Sequence, residues 1–469
     1  MARKKKIINN LTITDIVPEG KGLGRKDDLV VFVKDVVPGD EVDVLIKRNK
    51  TAYKEGIAIN FHKYSDLRVS AKCKHFDLCG GCKWQNITYD QQLAFKQKIT
   101  QDAFDRIAKV PVGESFPIMG SDETYFYRNK LEYTFSTHRW LTKEEMENGR
   151  PESAAGLGFH LPGMFDRILD IDECLLQSEL SNKIRNEVRK YAIEQKLEFY
   201  NIRSHQGFLR NLIVRNSVST GEYMVILVLG HEEEQKRVEM LNFMVEKFPE
   251  ISSLHYIINE KLNDSYADLD AILHYGTDFI TEKMGDLQFR IGPKSFFQTN
   301  SNQAKRLYDL ALEFADLQGT ETIYDLYTGT GTIALYASQK AKKVIGIEVI
   351  KEAIDDAKKN AELNNIFHAE FFVGDMKDTL TEEFITEHGK PDVVLIDPPR
   401  AGVHADSLEV IKAANPEKIV YISCNPGTQA RDVNILSDKY DVLKICPVDM
   451  FPHTFHVENV ALLKRKTLE

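Results

Sequence analysis

The chain has 469 residues, of which 42% are hydrophobic, 28% charged and 10% aromatic, and its formal net charge is −10. This composition is typical of a globular protein with about three domains, and it excludes a disordered, collagenous or disulfide-scaffold chain. No apolar run approaches the roughly 20 residues of a membrane span, and the basic start leads into the polar Asn9 and Asn10 instead of an apolar signal core. We therefore expect a cytoplasmic protein with no membrane partner.

Residues 1–64 predict a small β-barrel of the OB-like type. Short β-rich runs at 11–14, 29–33 and 42–46 alternate with turn signals, as in such barrels. Residues 1–72 contain 15 Lys and Arg against 10 Asp and Glu, a net charge of +5, whereas the rest of the chain carries −15. Five basic residues are expected to cluster after the strands: Lys47, Arg48, Lys50, Lys54 and Lys63. We expect this domain to contact RNA phosphates; the alternative is a structural cap with a solvated charged surface.

Residues 65–285 predict a mixed α+β domain whose topology the periodicity does not determine. The run of apolar and aromatic residues at 223–229 predicts a strand, and the stretch at 178–196 predicts a helix. A further helix is predicted at 90–108. It lies in a segment of about 90–125 that is a candidate to pack on the C-terminal domain.

Four cysteines of this central region predict a metal site. Cys73, Cys79 and Cys82 form a C-x5-C-G-G-C pattern, and Cys174 lies far downstream. Four cysteines can bind zinc or the corners of a 4Fe-4S cluster. Zinc ribbons usually bring two close pairs of cysteines, whereas three clustered cysteines with one distant partner favour the iron-sulfur cluster. Zinc stays open as the alternative.

Residues 286–469 predict an α/β domain of the Rossmann-like type. From about residue 320, strands and helices alternate regularly, which demands a mostly parallel sheet with right-handed crossovers. The predicted strands lie at 322–326, 343–348, 370–373, 393–396 and 418–423, followed by two closing strands. Ligands of such sheets bind at the carboxyl ends of the strands.

The strand ends of this domain predict a nucleotide-like cofactor. A Thr-Gly-Thr-Gly turn at 328–331 follows the first strand, Glu348 ends the second, and Asp375 and Asp397 follow the next two. Glycines at such a bend allow close approach of a ligand, and an acidic strand end can hold ribose hydroxyls. Ala334 falls where the third glycine of an NAD motif would stand, so S-adenosylmethionine fits better. The alternative for Glu348 and Asp375 is helix N-capping.

A cysteine and a carboxylate are the candidate catalytic groups. Cys424 follows a buried strand, and the next residues, Asn-Pro-Gly, force a turn that can direct its thiol into the cleft as a nucleophile. The alternative is a small core residue, which is the interpretation we give Cys446. Glu458 closes a loop that also contains His453 and His456. Glu458 is either a base or a salt-bridge partner, and the histidines are candidates to orient RNA or Glu458 or to cap the loop.

Four motifs together resemble the RNA uracil-5 methyltransferases. They are P-K-S-F-F-Q-T-N at 293–300, D-P-P-R at 397–400, S-C-N-P at 423–426 and F-P-H-T-x-H-V-E at 451–458. The N-terminal barrel resembles the TRAM domain, and the barrel and the cysteine pattern together are similar to the ribosomal-RNA branch of the family. The resemblance covers nearly the whole chain. Thr328 departs from it, because the family often has Cys there, and we expect softer packing near the cofactor as a result.

The resemblance implies a set of roles for individual residues. Cys424 is implied as the nucleophile, Glu458 as the base, and Phe296 as a neighbour of the target base. The implied residues around S-adenosylmethionine are Gln298, Tyr327, Thr332, Glu348, Asp375 and Asp397. The implied 4Fe-4S ligands are Cys73, Cys79, Cys82 and Cys174.

The activity implied is methylation of carbon 5 of a specific uridine in 23S-type ribosomal RNA through a covalent Cys–uracil adduct. The residues agree with this chemistry, because a thiolate can activate uracil and a carboxylate can remove the carbon-5 proton. The expected partner is RNA and not DNA, and the expected state is a monomer. Transfer RNA is the alternative substrate, and a non-catalytic iron-sulfur RNA-binding protein is the alternative from another class.

Overall fold

A closed five-stranded barrel forms the N-terminal domain of the computed structural model, which describes residues 6–141, 143–147 and 154–467. Its strands are β1 (Ile7–Val17), β2 (Lys21–Lys26), β3 (Leu29–Lys34), β4 (Glu41–Asn49) and β5 (Tyr53–Lys63). They close in the order β1-β2-β3-β5-β4. Alternate residues such as Val31, Val33, Val42 and Val44 are fully buried inside, as the two-residue strand period requires. The predicted barrel is confirmed.

The basic residues of the barrel differ from the expectation. Lys47 and Arg48 lie near the end of β4, and Lys54 and Lys63 lie on β5. Of the five, only Lys50 follows a strand as expected, directly after β4. Lys54 is only 9% exposed, and its Nζ donates a hydrogen bond to Asn49 Oδ1 at 2.5 Å. The prediction that Lys54 is a surface phosphate contact is therefore wrong, because its ammonium group already serves the barrel. The side chains of Lys47, Arg48 and Lys63 are exposed.

A helical segment joins the barrel to the C-terminal sheet. Helix α1 (Tyr89–Ala103) continues through a π-turn (Phe104–Ala108), and a short strand, β6 (Val112–Ser115), follows. Ala103, Phe104 and Ala108 are packed into the C-terminal core. Strand β6 pairs in parallel with the edge of the C-terminal sheet, so this segment lies on that domain.

The central domain is built on a seven-stranded sheet. Its strands are β7 (Lys130–Ser136), β8 (Gly156–Leu161), β9 (Met164–Asp170), β10 (Leu209–Asn216), β11 (Tyr223–Leu229), β12 (Ile251–Ile258) and β13 (Ile272–Gly276), in the order β13-β12-β11-β10-β7-β8-β9. Its helices are α2 (Lys143–Glu147), α3 (Glu179–Glu194) and α4 (Glu234–Lys247). Leu212 and Val214 pack with α3 and α4 on one face, whereas Ile213 joins the core of the C-terminal domain on the other.

The C-terminal domain is an α/β domain on an eight-stranded sheet. Its strands are β16 (Thr322–Leu326), β17 (Lys343–Glu348), β18 (Ala369–Val373), β19 (Val393–Ile396), β20 (Lys418–Ser423), β21 (Tyr440–Val448) and β22 (Glu458–Arg465), and a hairpin of β14 (Ile280–Met284) and β15 (Leu287–Ile291) precedes them. Its helices are α5 (Ser301–Ala315), α6 (Thr332–Ser338), α7 (Lys351–Leu363), α8 (Met376–Thr379), α9 (Glu382–His388), α10 (Ala405–Ala414) and α11 (Pro426–Leu436). No helix in the described ranges is long and apolar enough to cross a membrane.

The strand order places the ligand edge of this sheet. The order is β18-β17-β16-β19-β20-β22-β21-β6, and β22 runs antiparallel to both of its neighbours. The chain reverses its direction of growth between β16 and β19, and ligands of open α/β sheets bind in the crevice at such a point. The predicted Rossmann-like architecture is confirmed.

Candidate active site

Cys424 stands at the carboxyl end of a buried strand. All but the first residue of β20 are buried, and Cys424 follows directly and is half-buried. Asn425 begins the next helix, because its side chain accepts a hydrogen bond from the backbone N–H of Gly427 at 3.1 Å. The Ser423 hydroxyl accepts a hydrogen bond from the Asn425 N–H at 3.2 Å, which tightens the turn. This turn leaves the Cys424 side chain on the wall of a cavity.

Glu458 reaches the same edge because its strand runs the opposite way. In the pairing of β20 with β22, Ser423 lies opposite Asn459, so Glu458, which precedes Asn459, lies beside the end of β20. Glu458 is 6% exposed. It lines, together with Cys424, a cavity of about 750 Å³. The structure thus brings together the two groups predicted to be catalytic.

The pKa values of both groups are shifted by burial and by neighbouring charges. Burial raises the pKa of Glu458 to about 8, and the charge of Asp397 adds to this effect. Burial also raises the pKa of the Cys424 thiol to about 11, and the charges of Glu458 and Asp397 raise it further. Arg400 opposes both shifts, and it lines the cavity. The sequence interpretation quoted Arg400 only as part of D-P-P-R and missed its role as the nearby cation.

The turn after β16 has a left-handed backbone at three positions. Gly329 and Gly331 have φ values of +54° and +78°, and Tyr327 is also left-handed at +67°. A Cβ on Gly331 would lie 2.9 Å from Ala357 Cβ, so the turn requires glycine there. Thr332 begins α6 and is nearly buried. The predicted cofactor turn therefore forms, with its backbone close to the strand end.

Two of the predicted cofactor carboxylates make local backbone hydrogen bonds. Glu348 accepts hydrogen bonds from the N–H groups of Gly329, at 3.2 Å, and of Val349, at 2.9 Å. Asp375 is exposed and accepts one from the Lys377 N–H at 3.2 Å, which caps α8. Asp375 is therefore the N-cap of α8, as the alternative interpretation predicted. Both carboxylates nevertheless lie at the ligand edge of the sheet.

Asp325, at this edge, was missed by the sequence interpretation. It is 1% exposed, and burial raises its pKa to about 7, as it does for Asp397. The Thr328 hydroxyl donates a hydrogen bond to Asp325 Oδ2 at 2.6 Å, whereas Oδ1 is buried without a hydrogen-bond partner among the described residues. Thr328, where we expected softer packing than with Cys, thus has a polar partner in Asp325.

Phe296 and Gln298 lie on one loop against the cofactor turn. Phe296 is 68% exposed, and its carbonyl accepts a hydrogen bond from Thr330 Oγ1 at 3.3 Å. Gln298 is hydrogen-bonded to the buried hydroxyl of Tyr308, whose pKa is raised by burial and by the charges of Asp397 and Glu458 among others. Neither Phe296 nor Gln298 lines the cavity at Cys424. Tyr308, which no sequence pattern indicated, therefore contacts Gln298 and lies within the electrostatic influence of Asp397 and Glu458.

The four cysteines line the same cavity as Cys424 and Glu458. Burial raises the pKa of the Cys79 thiol to about 11 and of the Cys82 thiol to about 12, and the neighbouring cysteines raise both further. Within the described parts of the chain, no three His, Cys, Asp or Glu side chains form a ready metal-ion site. The four cysteines that the sequence pattern placed in one site therefore line one cavity. Their side chains are not arranged as the ligands of a single metal ion.

A second cavity, of about 910 Å³, separates the barrel from the C-terminal domain. The barrel contributes residues 17–21 and 34–37, and the facing wall contains Arg400, Cys424 and Asn425. Further basic residues line it as well: Lys21, Lys34, Arg48, Lys83 and Arg106. Four of these cations form ion pairs with acidic residues of the same lining: Glu19, Asp35, Glu55 and Asp102. Cys424 thus faces a cleft of mixed charge whose opposite wall is the barrel.

Comparison with known proteins identifies the family. A family model described as tRNA (uracil-5-)-methyltransferase matches residues 270–466, and a TRAM domain model matches residues 8–59. An RNA methyltransferase of Bacteroides thetaiotaomicron, named as uncharacterized, is 53% identical over 451 residues, which cover 95% of this chain and 99% of the relative. The chain belongs to the RNA uracil-5 methyltransferase family. The resemblance of the four motifs is thereby confirmed.

Two further members of this group extend the match. An RNA methyltransferase of Porphyromonas gingivalis, also named as uncharacterized, is 48% identical over 465 residues, 97% of this chain and all of the relative. The crystal structure of the Pyrococcus abyssi tRNA (uracil-54, C5)-methyltransferase in complex with S-adenosyl-L-homocysteine is 30% identical, with a TM-score of 0.73. That match covers 97% of this chain and all of the other. The overall fold of this chain is therefore similar to that of the Pyrococcus abyssi enzyme over nearly its whole length.

The charges around Cys424 predict opposite effects of two substitutions in this family member. Glu458→Gln removes a negative charge that raises the pKa of the Cys424 thiol, and Arg400→Gln removes a positive charge that lowers it. At pH 9, where Glu458 is ionised, we expect iodoacetamide to alkylate Cys424 about 3- to 10-fold faster in the first variant and correspondingly slower in the second. Mass spectrometry of the Cys424 peptide measures the rates.

The buried Cys446 provides the control for this experiment. Burial raises the pKa of its thiol to about 11, and neither Glu458 nor Arg400 contributes to that shift. Its alkylation rate should be the same in all three proteins. A change of the same sign at Cys424 in both variants would contradict the electrostatic assignment.

Proposed function

We propose that the protein methylates carbon 5 of a specific uridine in ribosomal RNA, with S-adenosylmethionine as methyl donor and through a covalent adduct to Cys424. The observation that carries the proposal is the meeting of Cys424 and Glu458 on one cavity wall, at the strand edge that also holds the cofactor turn. A nucleophile and a base at one site are the minimum that this chemistry needs. A non-catalytic RNA-binding protein would not require a thiol and a carboxylate at one site.

The reaction follows from the poor reactivity of uracil. The Cys424 thiolate adds to carbon 6 of the ring, a carbon–sulfur bond forms, and the electron pair moves to carbon 5 as an enolate. Bound S-adenosylmethionine would supply an electrophilic methyl group to that carbon. Glu458 then removes the carbon-5 proton, the double bond re-forms, and the thiolate leaves. The raised pKa of Glu458, about 8, suits a base that must take a proton near neutral pH.

The residues at the sheet edge fit a cationic, nucleotide-like donor. We assign its contacts to the six residues implied by the resemblance: Gln298, Tyr327, Thr332, Glu348, Asp375 and Asp397. Two features support this assignment: the left-handed turn before α6, and Asp325, one of whose carboxylate oxygens is buried without a hydrogen-bond partner among the described residues. A carboxylate there can stabilise a positive sulfonium or ammonium group.

The target nucleotide has to leave its stack, because a base inside a helix cannot present its ring to both a thiolate and a cofactor. We assign stacking on the flipped base to Phe296, whose ring is largely exposed. We assign the approach of the RNA strand to the cavity of about 910 Å³ between the barrel and Cys424, whose lining includes six basic and four acidic side chains. These features support RNA as the partner.

The cysteine cavity supports a 4Fe-4S cluster bound by Cys73, Cys79, Cys82 and Cys174. The donor set fits, since four thiols line one cavity and burial raises the pKa of three of them, Cys79, Cys82 and Cys174. Ligation would convert all four to thiolates. The backbone around them is fixed: the Cys174 N–H donates to Asn182 Oδ1 at 2.8 Å, and the Cys73 N–H donates to Gln85 Oε1 at 3.0 Å. Methyl transfer needs no electrons, so the role assigned to the cluster is structural.

Transfer RNA is the second candidate substrate. It is favoured by the full-length match to an enzyme whose structure is described as a tRNA (uracil-54, C5)-methyltransferase. The combination of a barrel with four cysteines favours ribosomal RNA, because it is similar to the ribosomal-RNA branch. The two substrates share the same chemistry, so only the RNA itself distinguishes them.

Mapping 5-methyluridine in a strain without this protein separates the substrates. We expect loss of the modified nucleotide at one or more positions of large-subunit ribosomal RNA, while transfer RNA stays unchanged. Expression of the unmutated protein should restore it, and expression of Cys424→Ala should not. Loss confined to transfer RNA would contradict the ribosomal assignment and favour the alternative.

The two catalytic roles predict different mutant behaviour. Cys424→Ala should bind RNA and S-adenosylmethionine but transfer nothing, because no adduct forms without the thiolate. Glu458→Gln should accumulate a methylated RNA–protein adduct that survives denaturation, since general-base losses commonly run about 100- to 10,000-fold. A denaturing gel followed by peptide mapping detects the adduct. Its appearance on Cys446, or methylation of uridine by Cys424→Ala, would refute the mechanism.

Metal analysis of the anaerobically purified protein tests the cluster. We expect about four iron and four sulfide per chain, a brown colour, and loss of both in Cys82→Ser. Cys446→Ser is the matched control, because Cys446 does not line the cysteine cavity, and it should retain the iron. Stoichiometric zinc without iron would contradict the assignment and favour a zinc site.

A further inference from the structure

The loop at 292–300 carries two of the residues to which we assign substrate and cofactor contacts, yet it is neither helix nor strand. Phe296 and Gln298 therefore depend on other elements for their positions. The loop connects β15 to α5, and its backbone groups are bound largely by side chains of the central domain. The side chains that bind this loop therefore determine the positions of Phe296 and Gln298.

Arg215 provides two of these hydrogen bonds. Its Nη1 donates to the carbonyl of Gly292 at 3.1 Å, and its Nη2 donates to the carbonyl of Ser295 at 2.9 Å. The planar guanidinium therefore bridges both ends of the Gly-Pro-Lys-Ser turn immediately before Phe296. The Ser295 hydroxyl in turn donates to Asp356 Oδ2 at 2.5 Å, which fixes the same residue from the side of α7.

Asn129 holds the other half of the loop. Its Nδ2 donates to the Gln298 carbonyl at 3.0 Å, and its backbone N–H donates to the Thr299 carbonyl at 2.8 Å. Asn129 and Arg215 are neighbours, because the Asn216 N–H donates to the Asn129 carbonyl at 2.9 Å. One corner of the central sheet thus binds both sides of Phe296.

Burial of the Arg215 guanidinium carries a desolvation cost, which the hydrogen bonds to the loop must offset. The side chain is 4% exposed, and burial lowers the pKa of its guanidinium to about 10. Water does not stabilise the charge there, so the loop carbonyls are its compensation. A surface loop that needed only to connect β15 with α5 would not require such a buried cation.

We propose that Arg215 is a positioning residue for methyl transfer, acting through the backbone of 292–295 to aim Phe296 at the flipped base and Gln298 at the cofactor. The inference rests on the proposed function. It assigns to the central domain an indirect part in catalysis, through the position of the loop, although that domain supplies neither the nucleophile nor the base.

The same strand offers a matched control. Arg210 is 1% exposed and also donates to backbone carbonyls, those of Asn259, Lys261 and Asn263, which lie outside the loop at 292–300. Arg215→Met and Arg210→Met each remove one buried guanidinium from β10. A purely structural role of Arg215 predicts the same functional consequences for both.

The experiment compares both variants with the unmutated protein in three measurements: the melting temperature, the Kd of S-adenosylhomocysteine by calorimetry, and kcat and KM for methylation of RNA from a strain that lacks the enzyme. Both variants should lose stability. Arg215→Met should weaken S-adenosylhomocysteine and lower kcat/KM by about 10-fold or more, because small misplacements of contact residues are costly. Arg210→Met should stay within about 3-fold of the unmutated protein.

Equal effects of the two substitutions on ligand affinity and rate would overturn the inference. If Arg215→Met does not fold, Arg215→Lys and Arg210→Lys carry the same comparison, since an ammonium group lacks the planar fork that bridges Gly292 and Ser295. Failure of the unmutated protein to bind S-adenosylhomocysteine or to methylate uridine would instead refute the proposed function. The two failures are therefore distinguishable.

Discussion

A fully buried ion pair anchors the loop on which the candidate active site depends. Lys96 Nζ lies 2.6 Å from Asp449 Oδ1, both side chains are inaccessible to solvent, and the Tyr89 hydroxyl donates to the other carboxylate oxygen at 2.9 Å. Lys96 also donates to the Phe451 carbonyl at 3.1 Å. Removing one partner of such a pair leaves an uncompensated charge and typically costs about 3–5 kcal/mol. The position of the loop that precedes Glu458 therefore depends on α1, which contains Lys96 and lies more than 350 residues before Asp449.

The same loop binds the cysteine segment. The His453 carbonyl accepts hydrogen bonds from the N–H groups of Lys83, at 2.8 Å, and Trp84, at 3.0 Å, directly after Cys82. His453 is left-handed at φ +65°, and its own N–H donates to Gln92 Oε1 at 2.8 Å. A displacement of the cysteine segment would thus be transmitted to the loop before Glu458. This connection gives the proposed cluster a structural role beside the proposed reaction, which transfers no electrons.

Most helices and strands of the C-terminal domain could be predicted from local sequence, but the pairing of the strands could not. The strands predicted at 343–348 and 418–423 have the observed bounds, because parallel strands buried on both faces are continuous apolar runs. The helix predicted at 90–108 is also present, as α1 and its π-turn. Strand β6, with the sequence Val-Gly-Glu-Ser, carries no such run, and only its pairing with β21 makes it a strand. The order of the central sheet likewise depends on long-range pairing that no local pattern contains.

The residues of the candidate active site also fall into those that local sequence predicts and those that it does not. Residues that are assigned to touch substrate or cofactor stand at strand ends or in motifs, so Cys424, Asp397 and Glu458 could be found from the sequence. Residues that act through other groups could not, because their partners are distant: Arg215 is 80 residues from Ser295, and Lys96 is 353 residues from Asp449. A cation looks alike in the sequence whether it meets a phosphate or a buried carbonyl, which is why Lys54 was misassigned. In this fold the reacting groups are locally encoded, whereas the geometry that aims them is a property of packing between domains.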